Sequence, residues 1–465
     1  MSQLEREQIL LQLSEIVGSD KVRTDAESLA SHGCDWTKIY TVAPRAIVFP
    51  KTTEQVQALV KFANQQQLAI VPSGGRTGLS GGAVAGDDEI VISFDYMNQI
   101  SELNAVDRTV VCQPGVVTQQ LQEFAQQQDL YYPVDFASAG SSQIGGNIAT
   151  NAGGIKVIKY GMTRDWVAGL KIVTGTGELI ELNQDLLKNN TGYDLRHLFI
   201  GSEGTLGLIV EATMRLTRPP KDLSVMVLGV PAMSAIMEIL SAFQTEIELT
   251  AFEFFSESGC KLTTEHGLQR PFESATPFYV LLEYENHSEQ DAETAMAMFE
   301  HCMEQGWVED GVISQSSAQA ENLWALRENL SECCAPHTPY KNDISVTVSK
   351  VPGFLEDIDA VVSQAYPNFI LVWWGHIGDG NLHLNILKPA DMDKGEFFSQ
   401  CQQVNKQVFE IVERYAGSIS AEHGVGLVKK DYLNYTRSAA DIALMRGIKL
   451  AFDPNNIINP GKIFD

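Results

Sequence analysis

Two histidines, His376 and His383, stand seven residues apart on either side of Ile-Gly-Asp-Gly-Asn-Leu. In one straight strand that odd separation would point their rings to opposite faces. A two-residue turn centred on Asp379-Gly380, a favoured hairpin signal, changes the outcome. Counting outward from it opposes Gly378 to Asn381, Ile377 to Leu382 and His376 to His383. Opposed residues share a sheet face with Cβ atoms ~5 Å apart, a spacing that suits two imidazoles on one ion. Asn385 shares the face of His383. A third ligand must come from elsewhere, and Ala421-Glu422-His423-Gly424 presents a carboxylate and an imidazole between small residues. His376, His383 and Glu422 would form a His2Glu set with an open position, the arrangement of a catalytic divalent site. Zinc is favoured, and Co2+ or Mn2+ is compatible with the same ligands. His32, His197, His266, His287, His301 and His337 read as ordinary polar side chains.

A second kind of chemistry is written in glycine. Residues 71–82 contain Gly74, Gly75, Gly78, Gly81 and Gly82, with Pro72, Arg76 and Thr77 among them. Small residues in succession let backbone N–H groups converge on an anion and let a ligand come close. Gly140, Ser141, Gly145, Gly146 and Asn147, followed by Asn151 and Gly153, could build a second wall. Two such stretches suggest a large diphosphate-bearing cofactor held at several points. The Rossmann fingerprint does not fit, because the Gly-x-Gly-x-x-Gly spacing is missing and Asp95 lies beyond another strand. No Gly-Lys-Ser/Thr follows the glycines, which excludes a Walker loop.

The elements that must position these groups follow in order. An amphipathic helix over residues 1–18 precedes a strand at 46–49, a helix at 53–67 and a strand at 68–71 that runs into the first glycine loop. A helix at 118–128, a hairpin of 170–173 with 178–182 and a strand-like stretch at 206–218 complete this region, and Pro219-Pro220 is a plausible boundary. Beyond it, strands near 223–230, 249–255 and 278–283 alternate with helices at 232–244 and 290–304, suggesting an α+β domain with a largely antiparallel sheet. Residues after Pro389 are mainly helical. The expected organisation is therefore an N-terminal helical segment (1–45), a cofactor domain (46–219), a substrate and metal domain (220–420) and a C-terminal segment (421–465).

A chain of 465 residues exceeds one hydrophobic core. Its net charge of −26 disfavours nucleic acid and anionic lipid, so an anionic substrate would need its own buried Arg or Lys. Seven scattered cysteines fit neither a disulfide framework nor a four-thiolate metal knot, and Cys333-Cys334 reads as inert. The start lacks the order of a secretory signal and no stretch is apolar enough to span a membrane, so a cytoplasmic location is expected.

Residues 72–82 and 140–154, with Tyr160-Gly161 and Gly201-Ser-Glu-Gly-Thr-Leu-Gly207, resemble the FAD-binding domain of the vanillyl-alcohol oxidase type. Asn459-Pro-Gly-Lys462 resembles the segment by which such enzymes return to the flavin, so the likeness spans essentially the whole chain. It implies that the first loop and residues 140–147 touch the FAD pyrophosphate, and that residues near Gly204, Ile209 and Asn459 lie along the flavin or its adenine arm. Some relatives attach FAD through His or Cys in the first loop; neither is present here, so FAD is expected to be non-covalent.

The histidine motif is similar to that of the FAD-linked D-2-hydroxy acid (D-lactate and glycolate) dehydrogenases. In the branch it resembles most, which takes D-2-hydroxyglutarate, the matches to His376, His383 and Glu422 hold zinc and the match to His423 is the base. The match to Asn385 touches substrate, and those to Arg327 and Lys341 engage its carboxylates. Ser331 stands where relatives carry Thr, and the hydroxyl is kept. A divalent ion chelated by the C1 carboxylate and C2 hydroxyl would acidify the hydroxyl, and His423 could then take its proton. A second buried carboxylate needs a cation of its own, which Arg327 and Lys341 could supply, favouring D-2-hydroxyglutarate, with D-malate as an additional substrate. D-lactate or glycolate oxidation is the alternative, and a non-catalytic flavin- or metal-binding protein is the competing class. With no haem, iron–sulfur or NAD motif, electrons should pass to a separate electron-transfer flavoprotein or quinone-linked acceptor. The resemblance also implies a homodimer.

Overall fold

The computed structural model describes residues 3–465 and is α+β, with its residues in two compact units. The first comprises residues up to 153, 162–219 and 422–465; the second comprises 154–161 and 220–421.

In the first unit, strands Ala46–Val48, Ile90–Ser93 and Ile70–Ser73 pair in parallel, with the short Val22–Arg23 added antiparallel at one edge. The buried run Ala46-Ile47-Val48 is what a parallel strand covered on both faces requires. Helix Thr53–Gln66 covers this sheet because Val56, Leu59, Val60 and Ala63 recur on one face; Thr52 caps its start, accepting from the Gln55 amide. The N-terminal helix Gln3–Val17 adds Ile9, Leu13 and Val17 to the same core. Residue 1 and residue 2 of the expected helix lie outside the described residues. A second, antiparallel sheet orders Thr109–Cys112, Gly207–Arg215, Val167–Thr174 and Leu179–Leu182, and the expected hairpin pairs Leu170 with Leu182 and Ile172 with Ile180. The stretch read as a glycine wall contains a short helix, Ile144–Thr150, that ends on Asn151 at φ 50°.

The second unit is built on a seven-stranded sheet whose pairs are all antiparallel. Leu249–Ser256 lies at its centre, buried along its full length between Phe278–Glu285 and Ile370–Gly375. Asn381–Leu387 follows, then Tyr340–Ser345 at the edge. One face is covered by helix Ser317–Glu328 and the short Leu330–Cys334, which bring Leu323, Trp324, Leu326, Leu330 and Cys334 into a core with Val372 and Leu387. Among the described residues no helix is long and apolar enough to cross a membrane.

Candidate active site

In the first unit, strand Ile70–Ser73 delivers the chain into the first glycine loop, and a cleft opens there. Pro72, Gly74, Gly75, Arg76, Thr77, Gly78 and Gly82 form one wall, and Gly145, Gly146 and Asn147 another. Gly204, Ile209 and His423 also line it. The cleft spans about 990 Å³ of empty space, part of it open to solvent. A Cβ built on Gly146 would meet no protein atom within 4 Å, and the lining Gln143 has a buried Oε1 without a hydrogen-bond partner. A backbone-walled cleft with an unfilled polar position fits a diphosphate-bearing cofactor such as FAD.

Six other residues named from the sequence stand behind this lining. Gly81 packs near Tyr40 and Leu427, Gly140 lies beside Gln119, and the Ser141 backbone backs Gly75. Asn151 Oδ1 accepts from the Arg164 amide at 2.9 Å, and Gly153 is buried at the edge of the unit. Asn459 Nδ2 donates to the carbonyls of Gly82 and Glu203, each at 2.9 Å, tying the C-terminal segment to the cradle.

Glu203 was not singled out from the sequence, although it sits inside the quoted Gly201–Gly207 motif. Its buried carboxylate accepts the amides of Val425 and Gly426, both at 2.7 Å, and burial pushes its pKa up against those two bonds. Ser80 Oγ bonds the carbonyls of His423 (2.7 Å) and Gly424 (2.9 Å). Gly426 adopts φ +49°, and a Cβ there would lie 2.1 Å from the Ser80 carbonyl oxygen. The loop carrying Glu422 and His423 is thus fixed on both flanks, with His423 Nε2 3.7 Å from Glu422 Oε1.

The second unit presents the histidine pair. The hairpin exists in a register different from the expected one: Trp374, not His376, opposes His383. The strands end at Gly375 and resume at Asn381, and the intervening loop closes through the His376 carbonyl, which accepts from Asp379 (3.1 Å) and Asn381 (3.2 Å). The physical reason is Gly375, at φ +154° with a hypothetical Cβ 2.5 Å from the Asn381 carbonyl oxygen, which turns the chain out of the ladder early. A shift of two residues keeps each side chain on its face. The rings of His376 and His383 accordingly meet at 5.5 Å between centroids, in a buried setting.

Each ring has a carboxylate beside Nδ1. Glu253 Oε1 accepts from His376 Nδ1 at 2.8 Å, and Asp343 Oδ1 lies 3.8 Å from His383 Nδ1. Asp343 itself is bonded by Asn381 Nδ2 at 3.0 Å and Ser420 Oγ at 3.4 Å. A proton held on Nδ1 leaves the Nε2 lone pair as the metal-binding one. The Ala421 amide donates to the Asp343 carbonyl at 3.3 Å, and Glu422 is the next residue in the chain. One imidazole bonded to a carboxylate, a second with a carboxylate 3.8 Å from Nδ1, and a carboxylate that follows Ala421 in sequence suit a divalent cation such as Zn2+.

The same sheet face carries the cations. Lys341 opposes Asn385 two ladder rows from the Asp343–His383–Trp374 row, and so on the same face. Arg327, buried on helix Ser317–Glu328, stacks over Trp374 at 4.4 Å and pairs with Glu253 at 2.6 Å. Burial lowers the Lys341 pKa, and among the described residues no carboxylate pairs with it. Arg327 Nε and Trp374 Nε1 are buried donors without an acceptor, and beside Asn385 Nδ2 stands only the sulfur of Cys334, which burial holds neutral with a pKa of about 11. Ser331 is half-buried on Leu330–Cys334. Surplus buried donors and an unbalanced ammonium are what a site awaiting an anionic ligand presents.

Residues 219–463 match the family model "FAD linked oxidases, C-terminal domain", and residues 44–183 match "FAD binding domain". The chain is 64% identical over 454 residues to the D-2-hydroxyglutarate dehydrogenase of Stutzerimonas stutzeri (strain A1501), covering 97% of this chain and 98% of that one. It is 37% identical over 448 residues to the mitochondrial D-2-hydroxyglutarate dehydrogenase of Danio rerio, covering 94% and 82%. Among solved structures, 4-ethylphenol oxidase from Gulosibacter chungangensis superposes with a TM-score of 0.77 at 16% identity, covering 100% of this chain and 98% of that one. An alkyldihydroxyacetonephosphate synthase does so at 0.73 and 18% identity, covering 98% and 85%. At those identities the likeness is one of fold.

Proposed function

The chain belongs to the FAD-linked oxidases, and we propose that it is an FAD-dependent dehydrogenase that oxidises D-2-hydroxyglutarate to 2-oxoglutarate. The relatives named for that substrate support the choice. The observation that carries it is the sheet face on which Lys341, lacking a carboxylate partner, stands two ladder rows from His383.

When bound, FAD supplies the hydride acceptor, and a divalent ion held by His376, His383 and Glu422, zinc in the first instance, acidifies the substrate hydroxyl. His423 accepts the hydroxyl proton at Nε2 as the C2 hydrogen leaves with its electron pair. Its backbone is fixed by Ser80 and its loop by Glu203, so the base is positioned before substrate arrives. Lys341 and Arg327 meet the distal carboxylate, Asn385 orients the substrate, and Ser331 offers a hydroxyl at the same end. Pro72 to Gly82, Gly145 to Asn147, Gly204 and Ile209 hold FAD without a covalent bond, with Gly140, Ser141, Asn151, Gly153 and Asn459 supporting that cradle. D-Malate is a second substrate, since one methylene is worth only ~1–3 kcal/mol in discrimination. Electrons then leave to an electron-transfer flavoprotein or quinone-linked acceptor, and the working form is a cytoplasmic homodimer.

Anaerobic bleaching of the flavin tests this. D-2-Hydroxyglutarate should reduce the enzyme faster than D-lactate, and a chelator should abolish reduction while FAD stays bound. Equal rates with both substrates would remove the dicarboxylate assignment; reduction that survives complete metal removal would remove the metal from the reaction.

A further inference from the structure

Glu253 lies outside every sequence motif and is 1% exposed, at the middle of the central strand of the second unit. A carboxylate there is costly unless its charge and both oxygens are met. Oε1 accepts from His376 Nδ1 at 2.8 Å, and the charge is balanced by Arg327, whose Nη2 lies 2.6 Å from Oε2 in an ion pair that lacks the alignment of a hydrogen bond. The ladder explains the first contact: Phe254 pairs with Gly375 and Phe255 with Trp374, so the same register carried one step further puts Glu253 beside His376. The second contact comes from helix Ser317–Glu328, whose Arg327 also stacks on Trp374.

Arg327 Nη2 also approaches His376 Nδ1, at 3.5 Å. Both cannot donate into that gap, and 3.5 Å is too long for a strong bond. The 2.8 Å contact to a carboxylate, which only accepts, therefore assigns the proton of His376 to Nδ1.

We propose that Glu253 is a positioning residue that joins two parts of the reaction site: it fixes the His376 ring and tautomer for the metal and anchors the Arg327 guanidinium for the substrate carboxylate. The proposal rests on the reading of His376 as a metal ligand. Outer carboxylates of this kind raise the basicity of the ligating histidine, and their loss costs roughly 10–100-fold in metal affinity. Here the same loss also leaves Arg327 without its counter-charge, so metal affinity and the KM for a dicarboxylate should move together. An ordinary core residue would alter stability and leave that pair of quantities uncorrelated.

The test uses the FAD-loaded full chain, stripped of metal and titrated with Co2+ while the visible d–d bands are followed. Glu253→Gln, nearly isosteric, should bind Co2+ about tenfold to a hundredfold more weakly, with shifted bands, retained FAD and a raised KM for D-2-hydroxyglutarate. Glu253→Asp keeps the charge and should show a smaller loss. If the wild type binds one Co2+ and Glu253→Gln binds it equally well, Glu253 has no positioning role. If the wild type itself binds none, the metal assignment fails instead. A readout independent of any variant is the proton spectrum of the Co2+ wild type: a hyperfine-shifted imidazole N–H that survives transfer to D2O is expected from buried His376 Nδ1. Its absence with Co2+ bound overturns the proposal.

Discussion

Replacing Lys341 by Met removes one charge and keeps most of the side-chain volume. In the wild type the ammonium is half-buried, its pKa is lowered by desolvation, and the nearby Cys334 thiol offers only a weak compensation. On the proposed reading, a dicarboxylate bound there would complete an ion pair, and in Lys341→Met its distal carboxylate would be desolvated without one. Truncating one partner of a buried charge pair costs ~2–5 kcal/mol, and the partial exposure of Lys341 argues for the lower part, ~2–3 kcal/mol. At ~1.4 kcal/mol per tenfold, kcat/KM for D-2-hydroxyglutarate should fall about 30- to 150-fold. The loss should lie mainly in KM, and D-lactate, with no second carboxylate, should change little. Dye-linked initial rates on both substrates measure this. Equal losses on the two would refute the assignment of Lys341 to the distal carboxylate. The pH dependence follows from the same shift. The lysine is charged below its lowered pKa, so KM for the dicarboxylate should rise with pH before an ordinary lysine would titrate, and Lys341→Arg should move that limb upward. In the window between the lowered folded pKa and the unfolded value the unfolded chain binds more protons, so this residue makes stability increase with pH there.

Three further outcomes are expected. His423→Ala should keep FAD, because many backbone groups share the cleft wall, yet lose most substrate-dependent bleaching in stopped-flow; a rate within about tenfold of wild type would exclude it as the base. Gly426→Ala forces a side chain onto the Ser80 carbonyl at a positive φ, at a cost of at least ~1–3 kcal/mol, and should lower both Tm and FAD occupancy; an unchanged melting curve would show that the loop relaxes freely. Burial pushes the Asp95 pKa up, but His32, Arg76 and Gln143 outweigh it and hold the net value well below the usual carboxylate range. Its stabilisation is thus present above the unfolded pKa and is lost as pH falls through the folded one, so Asp95→Asn should flatten the acid limb of a stability-against-pH curve.

Much of this architecture is legible locally. The alternation of Thr53–Gln66 with its Thr52 cap, the hairpin pairing Leu170 with Leu182, and the strand that ends in the first glycine loop all follow from period and turn chemistry. The histidine hairpin shows where that stops. Asp379-Gly380 marked a turn, but the ladder already ends at Gly375, pressed against the Asn381 carbonyl, and Gly378 then packs against Phe252 and Ile158, neighbours that no local pattern reveals. The face survived the error because the slip was even. Glu253, Asp343 and Glu203 were missed for a related reason: each acts through a partner at least 40 residues away in sequence, His376, His383 and Gly426 respectively. An isolated glutamate or aspartate in an apolar strand announces burial but not its counterpart.

The segment near the C-terminus does more than brace the cleft from behind. Ile70 bridges Ile458 in parallel, its amide donating to Ile457 and its carbonyl accepting from Asn459, both at 2.7 Å. The strand that feeds the first glycine loop therefore gains a neighbour made after nearly four hundred further residues have left the ribosome. During translation the second unit, contiguous but for residues 154–161, is fully synthesised while the cradle still lacks an edge. Completion of this edge therefore waits on a contact of very high sequence separation, one whose loop-closure entropy must be met before it rewards the fold.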